Sequence, residues 1–195
     1  MRRESQESGN GHVVAIGDVE PPAGLSMRKR KVYVQAVKRH YKAIYAFLYH
    51  MSGNAATAED LTQETFLSAW NALRRFEERS SAAVWLHRFA LNAYRAHARG
   101  LKPEAGLMED TAAESPDIVG QIDASELRRR AQEAVARLPD LYREVIVLRY
   151  YQGLKHREVA ELLGVPIGTV QFRCHTAFDK LRADLKKEIE DREVD

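Results

Sequence analysis

The segment that most constrains the fold is an acidic stretch in the middle of the chain, residues 101–123. It is broken by proline and glycine and shows no periodic apolar pattern. Residues 101–125 contain six acids and one lysine. Because structureless segments longer than about 15 residues are uncommon inside a compact domain, we interpret this stretch as a flexible linker. The chain is then expected to fold as two parts, one on each side of the linker.

Both parts have the periodicity of α-helices. Apolar residues recur at the spacing of about 3.6 residues that places them on one helical face, and the alternation typical of strands is hard to find. We therefore predict an all-α protein with two small helical domains, at residues 28–100 and 124–189. Residues 1–27, which hold most of the Gly, Ser and Pro clusters, are expected to be a disordered tail, and residues 190–195 a short C-terminal tail.

The composition argues against several classes of protein. The single cysteine, Cys174, excludes an internal disulfide and a Cys-rich metal site. No two of the seven histidines lie three or four residues apart, and no Gly-rich phosphate loop is present. No apolar run is long enough for a signal peptide or a membrane span. We therefore expect a cytoplasmic protein that has no metal or cofactor, is not inserted in a membrane and is not an enzyme.

Charge is distributed unevenly along the chain. The formal net charge is only +2, but residues 21–58 carry seven basic residues and no acid. Together with the acidic linker, this segregation suits a protein that binds a polyanion and keeps its linker away from that ligand. The alternative is that the basic residues form a solvated face.

The second part contains the pattern of a helix-turn-helix. Residues 155–164 (KHREVAELLG) predict a short helix ending at Gly164, and residues 165–185 predict a longer helix opening at Pro166. Cys174 lies on the inward seam of the longer helix, where we interpret it as a small hydrophobe. The outward face carries side chains of the types that read base edges in the major groove or bind phosphates. These are Thr169, Gln171, Phe172, Arg173, His175, Thr176 and Lys180.

A basic stripe is predicted on the helix of residues 82–99 (AAVWLHRFALNAYRAHAR). Its members recur at spacings of four, three and four residues, which suits contact with a phosphate backbone. They are Arg88, Asn92, Arg95 and Arg99. Three nearby rings could stack on unpaired bases, namely His87, Tyr94 and Trp85. Core packing is the alternative for Trp85 and Tyr94, and for Trp85 it is the favoured interpretation.

One leucine in residues 59–71 (EDLTQETFLSAWN) lies outside the apolar face of its helix. On a helical projection Leu61 and Trp70 share the inward arc, whereas Leu67 lies among acids and amides. That polar face consists of Asp60, Gln63, Glu64, Ser68 and Asn71. Isolated exposed leucines are common in proteins, so the pattern alone leaves open whether Leu67 is a binding anchor.

These segments resemble, in order and spacing, the bacterial sigma-70 family, and within it the small two-domain extracytoplasmic-function (ECF) sigma factors. The resemblance rests on AEDLTQETFLSAWNALRRF (residues 58–76), SSAAVWLHRFALN (residues 80–92) and a longer segment, residues 138–182, and it covers about residues 32–185. The DLxQExFL and GxPxGTVxxR patterns are each moderately specific. Together, on either side of an acidic linker, they are strongly specific.

The resemblance implies that the partners are promoter DNA and core RNA polymerase, bound through its β′ clamp helices and its β flap. The residues assigned to the clamp are Asp60, Gln63, Glu64, Leu67 and Asn71. Those assigned to the melted minus-ten element, from which a base is flipped into a pocket, are Glu78, Arg79, Ser80, Ser81, Arg88, Asn92 and Arg95. Those assigned to the duplex minus-thirty-five element are Pro166, Gly168, Thr169, Gln171, Phe172, Arg173, His175 and Thr176.

The resemblance also implies control by an anti-sigma factor, since most members are held inactive by such a protein. Several positions depart from the family pattern. Phe172 stands where Ser is common, Gln171 and Thr176 stand where basic residues are common, and Ala96 stands where many members have Asp. The resemblance therefore supports polymerase binding more strongly than it supports any particular promoter sequence.

The residues leave other functions open. One is a stand-alone helix-turn-helix regulator that dimerises through its first part; a dimerising helix should carry a continuous apolar stripe, whereas Leu67 is a single anchor among charges. Another is a helical bundle with a polar face, which would leave an exposed Phe172 unexplained.

Overall fold

The computed structural model describes residues 26–75, 81–100 and 122–192. Within these ranges the chain forms seven α-helices and no strand, which confirms the predicted all-α class. The helices are α1 Met27–Ser52, α2 Ala55–Ala72, α3 Ala82–Gly100, α4 Ile122–Arg137, α5 Asp140–Ile146, α6 His156–Leu163 and α7 Ile167–Arg192. The interpretations of residues 1–25, 101–121 and 193–195 as tails and linker fall outside the described residues. Helix α4 begins at Ile122, two residues before the predicted start of the second domain.

The first three helices pack together as one unit around a shared apolar core. The Ser26 side chain caps α1 by accepting a hydrogen bond from the Lys29 backbone N–H, and α1 ends at Gly53, whose φ of 69° suits glycine. Asn54 caps α2 in the same way. The largest apolar side chains that are fully buried in this unit are Tyr33, Ile44, Phe47, Leu48, Met51, Trp70, Leu73, Leu86 and Leu91. Their burial fixes which faces of α2 and α3 remain outside.

Helices α4 to α7 form the second unit. A π-helical turn, Val147–Tyr151, follows α5, so that the N–H of Gln152 reaches the carbonyl of Val147 across 3.0 Å. Gly164, with a φ of 67°, makes the turn between α6 and α7. The apolar spacing of α7 predicts an inward seam of five residues, of which Val170, Cys174 and Ala177 are buried and Leu181 and Leu185 are half-buried. The helix-turn-helix is therefore present, with the outer face of α7 free of core contacts.

The two units lie against each other. Arg143 of α5 donates a hydrogen bond to the carbonyl of Met51 in the last turn of α1, at 2.8 Å. The ring of Tyr151, in the π turn, lies 4.2 Å from that of His50 at the end of α1. The buried apolar residues of both units form one contiguous cluster. Although the sequence suggested two domains on a tether, the tethered parts share an interface in this structure.

Candidate polymerase and nucleic-acid interfaces

The polar face of α2 brings together all five residues assigned to the polymerase clamp. Asp60, Glu64 and Asn71 are exposed and Gln63 is half-buried, and Leu67 is 47% exposed. Their spacings of three and four residues place them along one side of a single helix. Leu67 is thus an apolar side chain with a polar surround, the arrangement in which protein interfaces concentrate their binding energy.

Helix α2 is held firmly behind this face. The hydroxyls of Thr62 and Thr65 are fully buried, and each donates to a backbone carbonyl one turn earlier, at 2.6 Å. The Tyr33 hydroxyl of α1 donates to the carbonyl of Phe66. The rotation of α2 about its axis is set by the burial of Leu61, Phe66 and Trp70 on its inner face and by the Tyr33 hydrogen bond from α1. That rotation is what leaves Leu67 exposed.

The residues assigned to the minus-ten element are only partly described. Glu78, Arg79 and Ser80 fall outside the described residues. Ser81 is exposed just before α3, and its carbonyl accepts a hydrogen bond from the Trp85 N–H at 3.0 Å. Arg88 and Asn92 are exposed on α3, and Arg95 is half-buried on the same helix. The structure therefore places Arg88, Asn92 and Arg95 along one face of α3.

The rings predicted to stack on bases are less accessible than the arginines. His87 and Tyr94 are buried, and Trp85 is partly buried with its ring 5.0 Å from that of Phe89. Burial lowers the pKa of His87, whose Nδ1–H donates to the carbonyl of Ala83 at 2.8 Å. Burial likewise raises the pKa of Tyr94 to about 12. These groups are neutral interface residues in this arrangement, because the second unit covers the side of α3 on which they lie.

The contacts between α3 and the second unit include three acids, Glu144, Asp140 and Glu161, whose role the sequence did not indicate. Arg95 makes a bidentate ion pair with Glu144 of α5, with Nε–Oε1 and Nη2–Oε2 distances of 2.9 and 2.7 Å. The Tyr94 hydroxyl donates to Asp140 at 3.2 Å. Arg88 lies 3.6 Å from Glu161 of α6. Glu144 directly precedes the apolar run of residues 145–148, and the sequence carries no signal that it is buried against Arg95.

The outward face of α7 carries the residues assigned to the minus-thirty-five element. Five of these residues are exposed, namely Pro166, Gly168, Gln171, Phe172 and His175, and the other three are half-buried. Those three are Thr169, Arg173 and Thr176. Phe172 is 68% exposed, which is unusual for a phenylalanine. This face is suited to enter a major groove, with the turn before it close to the phosphates.

Two groups near the recognition face have chemistry set by their surroundings. His175 Nδ1 lies 3.0 Å from Asp179 Oδ2, one turn later on α7. Burial raises the pKa of the Cys174 thiol, which disfavours the reactive thiolate. Cys174 therefore behaves as a small core residue beneath the face.

The described residues offer little for other chemistry. They contain no group of three or more His, Cys, Asp or Glu side chains that could hold a metal ion. No helix among them is long and apolar enough to cross a bilayer. What the fold presents is a helix-turn-helix, a basic helix and a helix with one apolar anchor, which together define a DNA-binding protein that also docks on a larger partner.

Comparison with known proteins agrees with this class. The family pattern of sigma-70 region 2 matches residues 36–103, and that of sigma-70 region 4 matches residues 128–181. The ECF RNA polymerase sigma factor SigW of Bacillus subtilis is 35% identical over 155 residues, which cover 73% of this chain and 83% of SigW. CarQ of Myxococcus xanthus, an RNA polymerase sigma factor, is 36% identical over 78% of this chain and 87% of its own length. The chain belongs to the sigma-70 family and is a sigma factor of the ECF group.

Solved structures match the arrangement of both units. The sigma factor RpoE of Bartonella quintana, in complex with the anti-sigma factor NepR, superposes with a TM-score of 0.67 at 28% identity, covering 80% of this chain and 98% of RpoE. CnrH, in complex with the cytosolic domain of CnrY, matches with a TM-score of 0.62 at 27% identity, covering 81% of this chain and 90% of CnrH. The region 2 match falls on the first unit and the region 4 match on the second.

Proposed function

We propose that the chain directs promoter-specific transcription initiation by docking on core RNA polymerase through the Leu67 face of α2. It then recognises melted minus-ten DNA through α3 and duplex minus-thirty-five DNA through α7. The chain is itself a DNA-binding initiation factor and not an enzyme, and it works in the cytoplasm, where the polymerase and the promoter are found.

The observation that carries this proposal is the exposure of Leu67 on a helix whose other large apolar residues are buried. Leu61, Phe66 and Trp70 lie in the core, whereas nearly half of the Leu67 surface is open to solvent. The flanking acids and amides suit the polar rim that surrounds the apolar centre of a protein interface. A dimerising helix would need several such apolar residues in a continuous stripe, and α2 exposes one.

Run-off transcription tests the docking surface. Core RNA polymerase from a related bacterium would be mixed with a fragmented genomic template and with the wild-type chain or Leu67→Asp. We expect discrete transcripts from the wild type and none from the variant, because a carboxylate would be buried without a partner at the centre of the interface. Both proteins should show the same helicity by circular dichroism, since position 67 contacts solvent.

Leu141→Asp is a matched control. Leu141 is 45% exposed, close to the 47% of Leu67, and it lies on α5, outside the three proposed surfaces. The same change of residue and charge at this position should leave transcription intact. If wild type yields no transcripts but binds duplex DNA alone at nanomolar concentration, the polymerase contact is refuted and a stand-alone regulator takes its place.

The relatives of known structure support a negative regulator for this chain. RpoE and CnrH were each solved with a second protein bound, NepR being named an anti-sigma factor. An anti-sigma factor for this chain would compete with polymerase, so its addition to the run-off assay should abolish the transcripts that Leu67 supports.

A further inference from the structure

We propose that Asp179 is a positioning residue for promoter recognition, which holds the ring of His175 so that its Nε2 accepts a hydrogen bond from the amino group of a base. Adenine, through N6, and cytosine, through N4, offer such a donor in the major groove. This proposal rests on the proposed function, in which α7 lies in the groove of the minus-thirty-five element. It adds the chemistry of one base pair and the residue that selects it.

Four residues lie along the outermost side of α7, away from its buried seam. Gly168, Phe172, His175 and Asp179 follow one another at spacings of four, three and four residues, and all four are exposed. The side chains of His175 and Asp179 are 81% and 54% exposed. A DNA duplex that covers Phe172 therefore also reaches the His175 ring.

The contact between His175 and Asp179 decides which ring nitrogen is left for DNA. Nδ1 of His175 lies 3.0 Å from Oδ2 of Asp179, and no other polar group among the described residues pairs with the ring. Because a carboxylate only accepts hydrogen bonds, the proton of the neutral imidazole must be on Nδ1. Nε2 is then a hydrogen-bond acceptor that points to solvent.

The Asp179 carboxylate is itself held by two neighbours. Its Oδ1 lies 3.6 Å from Nη1 of Arg182, three residues later, while its Oδ2 faces His175. An acid on a helix face that enters DNA is repelled by the phosphates, and exposed pairs of this kind add little to stability. The contribution of this acid to the recognition face is therefore the orientation of His175.

The base pair that His175 reads lies close to the one that Phe172 contacts. Residues three apart on a helix have Cβ atoms about 5–6 Å apart, and base pairs follow one another at about 3.4 Å. The two side chains are therefore within about two base pairs of each other. At the His175 position, guanine and thymine would present the acceptors O6 and O4 to Nε2, which favours adenine or cytosine.

The test measures binding of the full chain to duplexes of the minus-thirty-five element, which transcript starts from the run-off assay identify. At each adenine or cytosine, one duplex keeps the base and the other carries an analogue without the amino group, unsubstituted purine or 2-pyrimidinone. Fluorescence anisotropy is recorded at about pH 8, above the usual range of imidazole protonation. We expect loss of one amino group to weaken wild-type binding about fivefold, the effect of one hydrogen bond.

His175→Ala separates this effect from the weaker base pairing of the analogue, which is the same for both proteins. The variant should bind the paired duplexes with nearly equal affinity. A wild type that is indifferent to every amino group overturns the proposal, and so does a preference that survives in His175→Ala.

Asp179→Asn is compared with Asp184→Asn, the same change of charge on the same helix. Asp184 pairs with Arg137 of α4 at 2.8 Å, away from the recognition face. We expect Asp179→Asn to lose most of the preference, because an amide can also donate to Nδ1 and no longer fixes the proton there. Asp184→Asn should keep the preference. The readout is the ratio between paired duplexes, in which a general gain in affinity from the lost charge cancels. An undiminished ratio in Asp179→Asn overturns the positioning role.

NMR of the chain with isotope-labelled histidine tests the tautomer without DNA. The His175 signal, identified by its loss in His175→Ala, should show Nδ1 protonated and Nε2 bare, with a shift towards Nε2 protonation in Asp179→Asn. A wild-type ring protonated on Nε2 overturns the proposal. Failure of the proposed function is distinguishable, because wild type then yields no run-off transcripts. If this proposal alone fails, transcripts appear and the amino groups near Phe172 make no difference to binding.

Discussion

Phe172 is expected to contact a thymine methyl in the minus-thirty-five element, and its exposure sets the size of the effect. A phenylalanine buries about 200 Å² in full contact. With 68% of the residue exposed, about 140 Å² is available to a partner, which at about 25 cal/mol per Å² limits the contact to about 3 kcal/mol. The share of a single methyl group is about 0.8 kcal/mol, or about fourfold in affinity.

Transcript starts mapped in the run-off assay identify the minus-thirty-five element. The assay then compares two duplexes of this element that differ at one position, where one has thymine and the other deoxyuridine. Wild type should prefer one thymine position by about fourfold. Phe172→Ala should bind both duplexes equally and more weakly. Its stability should change by less than about 0.5 kcal/mol, because the side chain makes few contacts within the protein.

Tyr150→Ala is the matched control for this experiment. Tyr150 is 50% exposed in the same unit, but it lies in the π turn, where it packs edge-on against Phe178 at 5.1 Å. Its removal should leave the preference for thymine unchanged. If Phe172→Ala retains the full fourfold preference, or if wild type shows none at any thymine, the assignment of Phe172 to a methyl contact is refuted.

Two further predictions concern charge. Replacing Arg88 by Gln should reduce the slope of log affinity for single-stranded DNA against log salt by about 0.7, the value for one lost phosphate contact. An unchanged slope in a salt titration would remove Arg88 from the DNA surface. Burial lowers the pKa of His50 to about 4, below its usual value of about 6.5. The unfolded chain therefore takes up the proton first, so stability should be full above about pH 6.5 and fall towards pH 4. In urea unfolding, His50→Gln should lose less stability than wild type across that window, and equal losses would contradict the role of His50.

Much of the local structure could be predicted from the sequence because its causes are local. Gly53 and Gly164 end helices in a backbone conformation that glycine adopts without strain, and the apolar spacing of Val170, Cys174 and Ala177 places them on one side of α7 whatever they pack against. The exposure of Leu67 and Phe172 follows from the same spacing. Helical class, the helix-turn-helix and the family patterns are all properties of short segments.

What lies over a polar helical face depends instead on residues far away in the chain. Arg95 and Glu144 are separated by 49 residues, and no periodicity within either helix indicates that they meet. The π turn, which brings Tyr151 against His50, is likewise invisible in the spacing of apolar residues.

The sequence by itself therefore determined the helices, the turn before α7 and the side chains that each helix holds outward. Only the tertiary structure decided that His87 and Tyr94 are buried and that Arg88 and Arg95 face acids of the second unit. The physical reason is that helix formation and amphipathicity are set by neighbours within a few residues, whereas ion pairing between two tethered units is set by how their surfaces fit.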